Sequence, residues 1–300
     1  MKKKIMAVLV AAGMVVSLAA CGGSSQTATG TAESAAETVE SAAETVESAA
    51  ETAESTAAEA TESVAEAAAS EDAELVTVTE GKLTMSTNAA FPPYEMTTDS
   101  GDLEGIDIEV AGAIAKKLGL ELQVDDMDFD AALLAAQQGK SDIVMAGVSV
   151  TEERQKVMEF SDSYATGVQV IIVKEDSEIA SVEDLEGKMI GTQRGTTGNI
   201  YCTDDYGEDH ITTYDNGLTA VQALMNGQVD CVVIDQEPAK AFVAANQGLK
   251  ILETEYVSED YAIGMAKGNT ALQSAVNKAL AELQEDGTVQ SIVDKYIAAK

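Results

Sequence analysis

Ser141–Tyr164 reads SDIVMAGVSVTEERQKVMEFSDSY, and the reading of this stretch decides the fold. Asp142–Ala146 is apolar enough to be a strand buried on both faces, the kind found in parallel sheets. Gly147-Val148-Ser149-Val150 forms a short loop, and a helix follows. Thr151 is a natural N-cap. Glu152 and Glu153 fill the first turn, where acidic side chains suit the helix dipole. Arg154 sits in that same turn, where a cation gains nothing from the dipole. Helical side chains lean toward the helix start, so the guanidinium can reach over the Ala146–Ser149 loop. An Arg fork beside loop amides and a Ser hydroxyl is a carboxylate receptor. The alternative is an ordinary surface Arg paired with Asp or Glu, and the rest of the chain has to decide between them.

Working outward, the chain from Leu75 alternates strands with helices, the pattern of an α/β fold. Before the central stretch come a strand over Lys82–Ser86, a helix over Ile106–Leu118, a strand over Leu122–Val124 and a helix over Phe129–Gln138. The first strand runs into Asn88-Ala89-Ala90-Phe91-Pro92-Pro93-Tyr94, a turn that carries two aromatics on the side where open α/β sheets bind ligands. After the central stretch a long apolar strand covers Val168–Val173. A second, similar set follows. Lys188–Gln193 is a strand leading into Arg194-Gly195-Thr196-Thr197 and a helix, whose free amides form an anion site. No Lys follows these glycines, so this is not a P-loop. Gln228–Ile234 is a strand that ends at Asp235, a carboxylate at a strand's carboxyl end. Ile251–Glu253 and Tyr261–Ala266 are strands, and helices Thr270–Gln284 and Thr288–Ala298 close the chain.

Composition excludes several functions. The formal net charge is −34, with 18 basic against 52 acidic residues, which excludes nucleic-acid binding. A single histidine, His210, excludes metal sites built from His clusters and leaves Ser-His-Asp chemistry without a well-placed base. No metal site and no cofactor is expected.

The N-terminus reads as an address and a tether. Lys2–Lys4 form a charged region and Ile5–Val16 an apolar one, the layout of an export signal and short for a membrane span. Leu18-Ala19-Ala20-Cys21-Gly22 resembles the lipobox of bacterial lipoproteins, which implies a signal peptide over 1–20 and lipidation of Cys21. Residues 21–74 are low in complexity. ESAAETV at 33–39 repeats at 40–46 and, as ESAAETA, at 47–53. A coiled coil is rejected, because Val39, Val46 and Val64 are too few for a seam and the Glu33/Glu37 and Glu40/Glu44 pairs repel at i,i+4. A self-repelling acidic spacer fits the composition, with a frayed, solvated helix as the alternative.

Arg154, the Gly195–Thr197 helix start and Asp235 all fall on loops at the expected ligand side. A cation with amides matches an α-carboxylate, and a carboxylate matches an α-ammonium. One small zwitterion satisfies all of them, with aromatics over its aliphatic part.

Residues 75–300 also resemble the polar amino acid family (family 3) of ABC-transporter substrate-binding proteins. The motifs are Phe91-Pro92-Pro93-Tyr94-Glu95, Gly105-Ile106-Asp107-Ile108-Glu109, Gly139-Lys140-Ser141-Asp142, Thr151-Glu152-Glu153-Arg154, Phe160-Ser161-Asp162-Ser163-Tyr164, Gly195-Thr196-Thr197-Gly198 and Asp230-Cys231-Val232-Val233-Ile234-Asp235, in the family's order. The resemblance implies a two-lobed periplasmic-binding-protein-like fold of type II. Lobe 1 would be 75–167 with 263–300, and lobe 2 would be 168–262. A two-strand hinge would lie near Gly167–Gln169 and Ala262–Gly264. It implies that Arg154 takes the ligand carboxylate, helped by Gly147, Ser149, Thr196 and Thr197, and that Asp235 takes the ammonium. Phe91 and Phe129 would sandwich the ligand, with Asn88, Ala146, Gln193 and Arg194 lining the side-chain pocket. Where many members carry an acidic residue or Ser, this chain has Asn88 and Ala146, which argues against a cationic side chain. Arg194 either favours acidic or amide side chains or points to solvent.

The implied function is capture of a free polar L-amino acid by an exported, lipid-anchored monomer, which delivers it to an ABC permease driven by a cytoplasmic ATPase. An enzyme on the same fold, such as a cyclohexadienyl dehydratase, would need a general acid or base in the cleft beyond the already assigned Asp235. A sensing or adhesion module would carry a membrane segment after the domain. Cys202 and Cys231 lie in one lobe away from the ligand, either as a disulfide, which an extracytoplasmic setting permits, or as two buried thiols.

Overall fold

The structure, a computed structural model, describes residues 75–252 and 255–297. The signal region, Cys21 and the acidic repeats lie outside the described residues.

Twelve strands and eight helices follow from Lys82 to Tyr296. Most of the strands form one sheet in the order β5-β1-β6-β12-β7-β10-β8-β9, with β11 also paired to β7. One parallel set comprises β1 (Lys82–Thr87), β5 (Glu121–Asp126) and β6 (Ile143–Val144). A second comprises β8 (Ile190–Gln193), β9 (Ile211–Tyr214) and β10 (Cys231–Asp235). Between them run two long antiparallel strands, β7 (Met158–Lys174) and β12 (Val257–Ala266). β12 pairs with β6 on one side, and β7 pairs with β10 and with β11 (Leu249–Ile251) on the other. Two parallel sets bridged by a two-strand ladder make the two-lobed arrangement. A separate small sheet holds β2 (Ala90–Phe91), β3 (Glu95–Thr97) and β4 (Leu103–Glu104).

Local chemistry explains the elements. Helix α1 (Ile106–Lys117) buries Ile106, Val110 and Ile114 and carries Lys116 and Lys117 in its last turn, where cations suit the dipole. Helix α2 (Phe129–Gln137) buries Phe129, Ala132, Leu133 and Ala136. Helix α3 is short, Glu152–Val157, and the Thr151 side chain caps it by accepting from the Arg154 N–H. Helices α4 (Thr197–Tyr206), α5 (Gly217–Met225) and α6 (Gln236–Ala245) are capped by the side chains of Thr196, Asn216 and Asp235. Helices α7 (Thr270–Glu285) and α8 (Thr288–Tyr296) pack beside α1. Asp142 ties the central stretch into the sheet: its carboxylate accepts from the Val78 and Thr84 N–H groups, both at 2.7 Å, and from the Thr84 hydroxyl.

Several elements differ from the sequence expectation. The central strand is laddered only at Ile143–Val144, because the chain leaves the sheet early to form the Ala146–Ser149 loop. β7 begins at Met158 rather than Val168; the polar run Ser161–Ser163, partly exposed, masks its strand character. β12 begins at Val257 rather than Tyr261, since its first four residues alternate half-buried with exposed and include Ser258, Glu259 and Asp260. The register places Val257–Glu259 opposite Gly167–Gln169. Gly167 is needed there, because a Cβ would meet the Tyr261 ring at 2.3 Å. Strand β9 was not anticipated: it is a half-buried edge with no apolar run.

Candidate functional site

A cavity lies where the loops of the two parallel sets face each other. Its positive end comes from the central stretch. Arg154, only 8% exposed, extends back from α3. Its Nη1 donates to the Ser149 carbonyl at 2.9 Å and its Nη2 to the Gly195 carbonyl at 3.1 Å. Both parallel sets thus fix the same guanidinium, and two of its five donors are spent. The guanidinium carbon also sits 5.5 Å from the centre of the Phe129 ring. Burial lowers its pKa, and the charge of Glu259 offsets this. Gly147 stands at φ 56°, and a Cβ there would meet the Phe91 ring at 2.8 Å. Its N–H donates to Asp107 Oδ2 at 3.0 Å, which fixes the loop. From the other side Thr196 caps α4, and Thr197 in its first turn lines the cavity.

The negative end is Asp235, 1% exposed at the close of β10. Its Oδ1 accepts from the Glu237 N–H at 3.1 Å, and its Oδ2 accepts from the Val168 N–H and the Tyr261 hydroxyl, both at 2.8 Å. Burial pushes its carboxyl up to about 6, although these donors pull the other way. The wall between the ends carries Phe91, stacked on Tyr94 at 5.8 Å, and the amides of Asn88 and Gln193, which bond to each other at 3.0 Å.

Of the twelve residues expected to bind ligand, eleven line this cavity: Asn88, Phe91, Phe129, Ala146, Gly147 and Ser149 on one side, with Arg154, and Gln193, Thr196, Thr197 and Asp235 on the other. Arg194 does not. Its side chain is 53% exposed and pairs with Asp215 at 3.2 Å, because the residue after Gln193 at the end of β8 turns away from the cavity. Among the described residues His210 lies in a short turn outside the cavity. Cys202 and Cys231 are both buried, both free, and belong to one apolar cluster around Ile171 and Leu185, with burial pushing both thiols up.

Sequence reading missed four polar side chains here. Glu95 and Gln169 line the cavity, as does Tyr261, which reaches it from β12. Glu259 stands beside it. Its Oε2 accepts from the Thr197 hydroxyl at 2.5 Å and the Ser149 hydroxyl at 3.2 Å, and its Oε1 from the Tyr201 hydroxyl at 2.8 Å. One carboxylate therefore joins hydroxyls from both sides of the cleft. The strand alternation of β12, which turns Glu259 and Tyr261 to the same face, is the signal that could have found those two.

The fold and the cavity together define a two-lobed α/β substrate-binding protein with a charged cleft suited to a small zwitterion. More narrowly, the chain belongs to the bacterial extracellular solute-binding proteins, family 3, whose model matches residues 83–299. It is 30% identical over 222 residues to the L-cystine-binding protein TcyJ of Escherichia coli K12, covering 73% of this chain and 84% of that one. It is 32% identical over 224 residues to the arginine-binding extracellular protein ArtP of Bacillus subtilis 168, covering 73% and 87%. Among solved structures, an ancestral arginine-binding protein bound to glutamine superimposes with a TM-score of 0.70 at 41% identity, covering 74% of this chain and all of that one. An ancestral arginine-binding protein bound to arginine gives 0.69 at 42% identity, covering 73% and 99%. The relatives are amino-acid-binding proteins of ABC importers, and this chain is a substrate-binding protein rather than an enzyme.

Proposed function

We propose that the protein captures one free polar L-amino acid in the cleft and delivers it to an ABC permease from the outer face of the membrane, as a monomer held there by a lipid on Cys21. The observation that carries this reading is the shared cavity of Arg154 and Asp235, two buried opposite charges that do not bond each other. The ligand carboxylate would bond Arg154 and the amides at the start of α4. The ligand ammonium would bond Asp235. The Asn88–Gln193 amide pair at the wall suits a side chain with hydrogen-bonding capacity. Ligand would favour the closed form because only that form completes both charge pairs. Lobe 1 would be 75–167 with 263–300 and lobe 2 168–262, moving about the Gly167 crossing.

A thermal-shift screen against the twenty amino acids tests this. Ligand linkage raises the melting temperature in step with affinity, and Arg154→Ala and Asp235→Ala should each abolish the shift. If both variants still respond to the best compound, the site assignment fails. For the anchor, labelling of cells with a palmitate analogue should mark the wild type, while Cys21→Ala should carry no label and leave the membrane fraction.

A further inference from the structure

Glu95 opens β3 at the cavity wall and has no exposed surface. Among the described residues no N–H group donates to either of its carboxyl oxygens. Its hydrogen-bonding neighbour is another carboxyl, Asp107 on α1, which also faces the Tyr164 hydroxyl on β7, so the three form one buried cluster around Asp107. A buried carboxylate without partners is costly, so such a group either holds a proton or meets a cation. The charged groups that act on it most strongly are carboxylates: Asp107, Asp126 at the end of β5 and Asp235 on β10. The neighbouring hydroxyls, Tyr94 and Tyr164, are held neutral by burial and the same charges. Burial and these carboxylates keep the proton on Glu95 in the ligand-free protein.

The acceptor inventory points the same way. An ammonium brings three N–H donors. Asp235 already accepts three donors from the protein, leaving about one of its four lone-pair positions free. Glu95 lines the same cavity, and among the described residues its only hydrogen-bonding neighbour is the Asp107 carboxyl, so it still has acceptor positions to offer.

We propose that Glu95 is a second acceptor for the positive nitrogen of the ligand, and that it surrenders its proton to solvent when that nitrogen binds. The inference rests on the amino-acid-binding reading above. It makes capture proton-linked: one N–H···O⁻ pairing forms in the cavity as one O–H proton leaves to the buffer. Affinity therefore weakens as pH falls, because protons compete with the ligand for Glu95. The positive nitrogen is either the α-ammonium or a cationic side chain.

Isothermal titration of wild type and Glu95→Gln with L-arginine and L-glutamine tests it, with the strongest compound of the twenty-compound screen as the probe if neither binds. The titrations are run at pH 7.5 in phosphate and in Tris, whose ionisation enthalpies differ. At that pH Asp235, at about 6, is already ionised and adds little to the count. Wild type should release close to one proton per ligand. Glu95→Gln, which keeps the shape of the neutral acid, should melt near wild type, release none and bind roughly ten- to hundredfold more weakly. Weaker binding of both probes assigns the α-ammonium, and of arginine alone the side chain; either supports the proposal. Binding of Glu95→Gln within threefold of wild type, or equal proton release by the two proteins, overturns it. Wild type that binds none of the twenty amino acids overturns the amino-acid reading itself.

Discussion

The two ends of the cavity solve the burial of charge differently. At the positive end Arg154 is braced by two carbonyls, one from each side of the cleft, and stands over an aromatic ring, with three donors to spare. At the negative end Asp235 is nearly saturated by its own protein, and the spare acceptor is a neighbour, Glu95, which among the described residues pairs only with the Asp107 carboxyl. The positive end is built in advance around a permanent charge. The negative end keeps its capacity in reserve as a protonated acid. A permanently charged guanidinium has to be braced to be buried, whereas a carboxyl can wait neutral.

The sharpest way to break the comparison is Arg154→Lys. An ammonium is a point charge and cannot reach both carbonyls and a ligand carboxylate as a planar fork does. Affinity should fall at least a hundredfold, about 2.7 kcal/mol, as read by isothermal titration with the best compound of the screen. A loss under fivefold would mean that bracing does not matter at this end.

Next comes Asp107→Asn, at the negative end. Burial pushes the Asp107 carboxyl up to about 6 from 3.8. Its folded value lies above its unfolded one, so the folded state prefers the protonated form. Stability from this group is whole below about pH 3.8 and is lost as pH rises through about 6. Asparagine removes that loss while keeping an oxygen for the Gly147 N–H. The variant should therefore be more stable than wild type at pH 7.5, by on the order of 1–3 kcal/mol, and the gain should vanish near pH 4. Urea unfolding at both pH values measures it, and an equal difference at both would refute the assignment.

Glu259→Gln sharpens the comparison where the sides of the cleft meet. The carboxylate accepts three hydroxyls, from Ser149, Thr197 and Tyr201, and an amide oxygen cannot hold all three. Stability of the ligand-free protein should fall by about 1–2 kcal/mol, seen as a lower urea midpoint at unchanged slope. An unchanged midpoint would mean that these hydroxyl bonds contribute nothing net.

What the sequence made legible follows the same division. Arg154 could be read because it violates a local rule, a cation at a helix start, and Asp235 because it ends an apolar strand at a cap. Both signals are local. Glu95 could not be read, because its role depends on elements far apart in the chain meeting: β3 against α1 and β7. The start of β12 was missed for a related reason. That half-buried stretch carries Ser258 and Asp260 on its outer face and Glu259 on its cleft face, and no apolar run marks it.

Arg194 separates what a motif places from what a side chain does. It directly follows Gln193, a cavity residue, so the family pattern puts it in the pocket. Its N–H bonds the Tyr214 carbonyl at 2.9 Å, a contact any residue can make, and its guanidinium pairs with Asp215 in solvent. An exposed pair of this kind is worth about 0–1 kcal/mol. Arg194→Ala should therefore leave affinity for every amino acid within twofold and the urea midpoint nearly unchanged. A selective loss of acidic or amide ligands in the same titrations would show that the side chain swings into the cleft on closure. The cavity would then hold two guanidinium groups, and the contrast between its braced positive end and its reserve negative end would have to be redrawn.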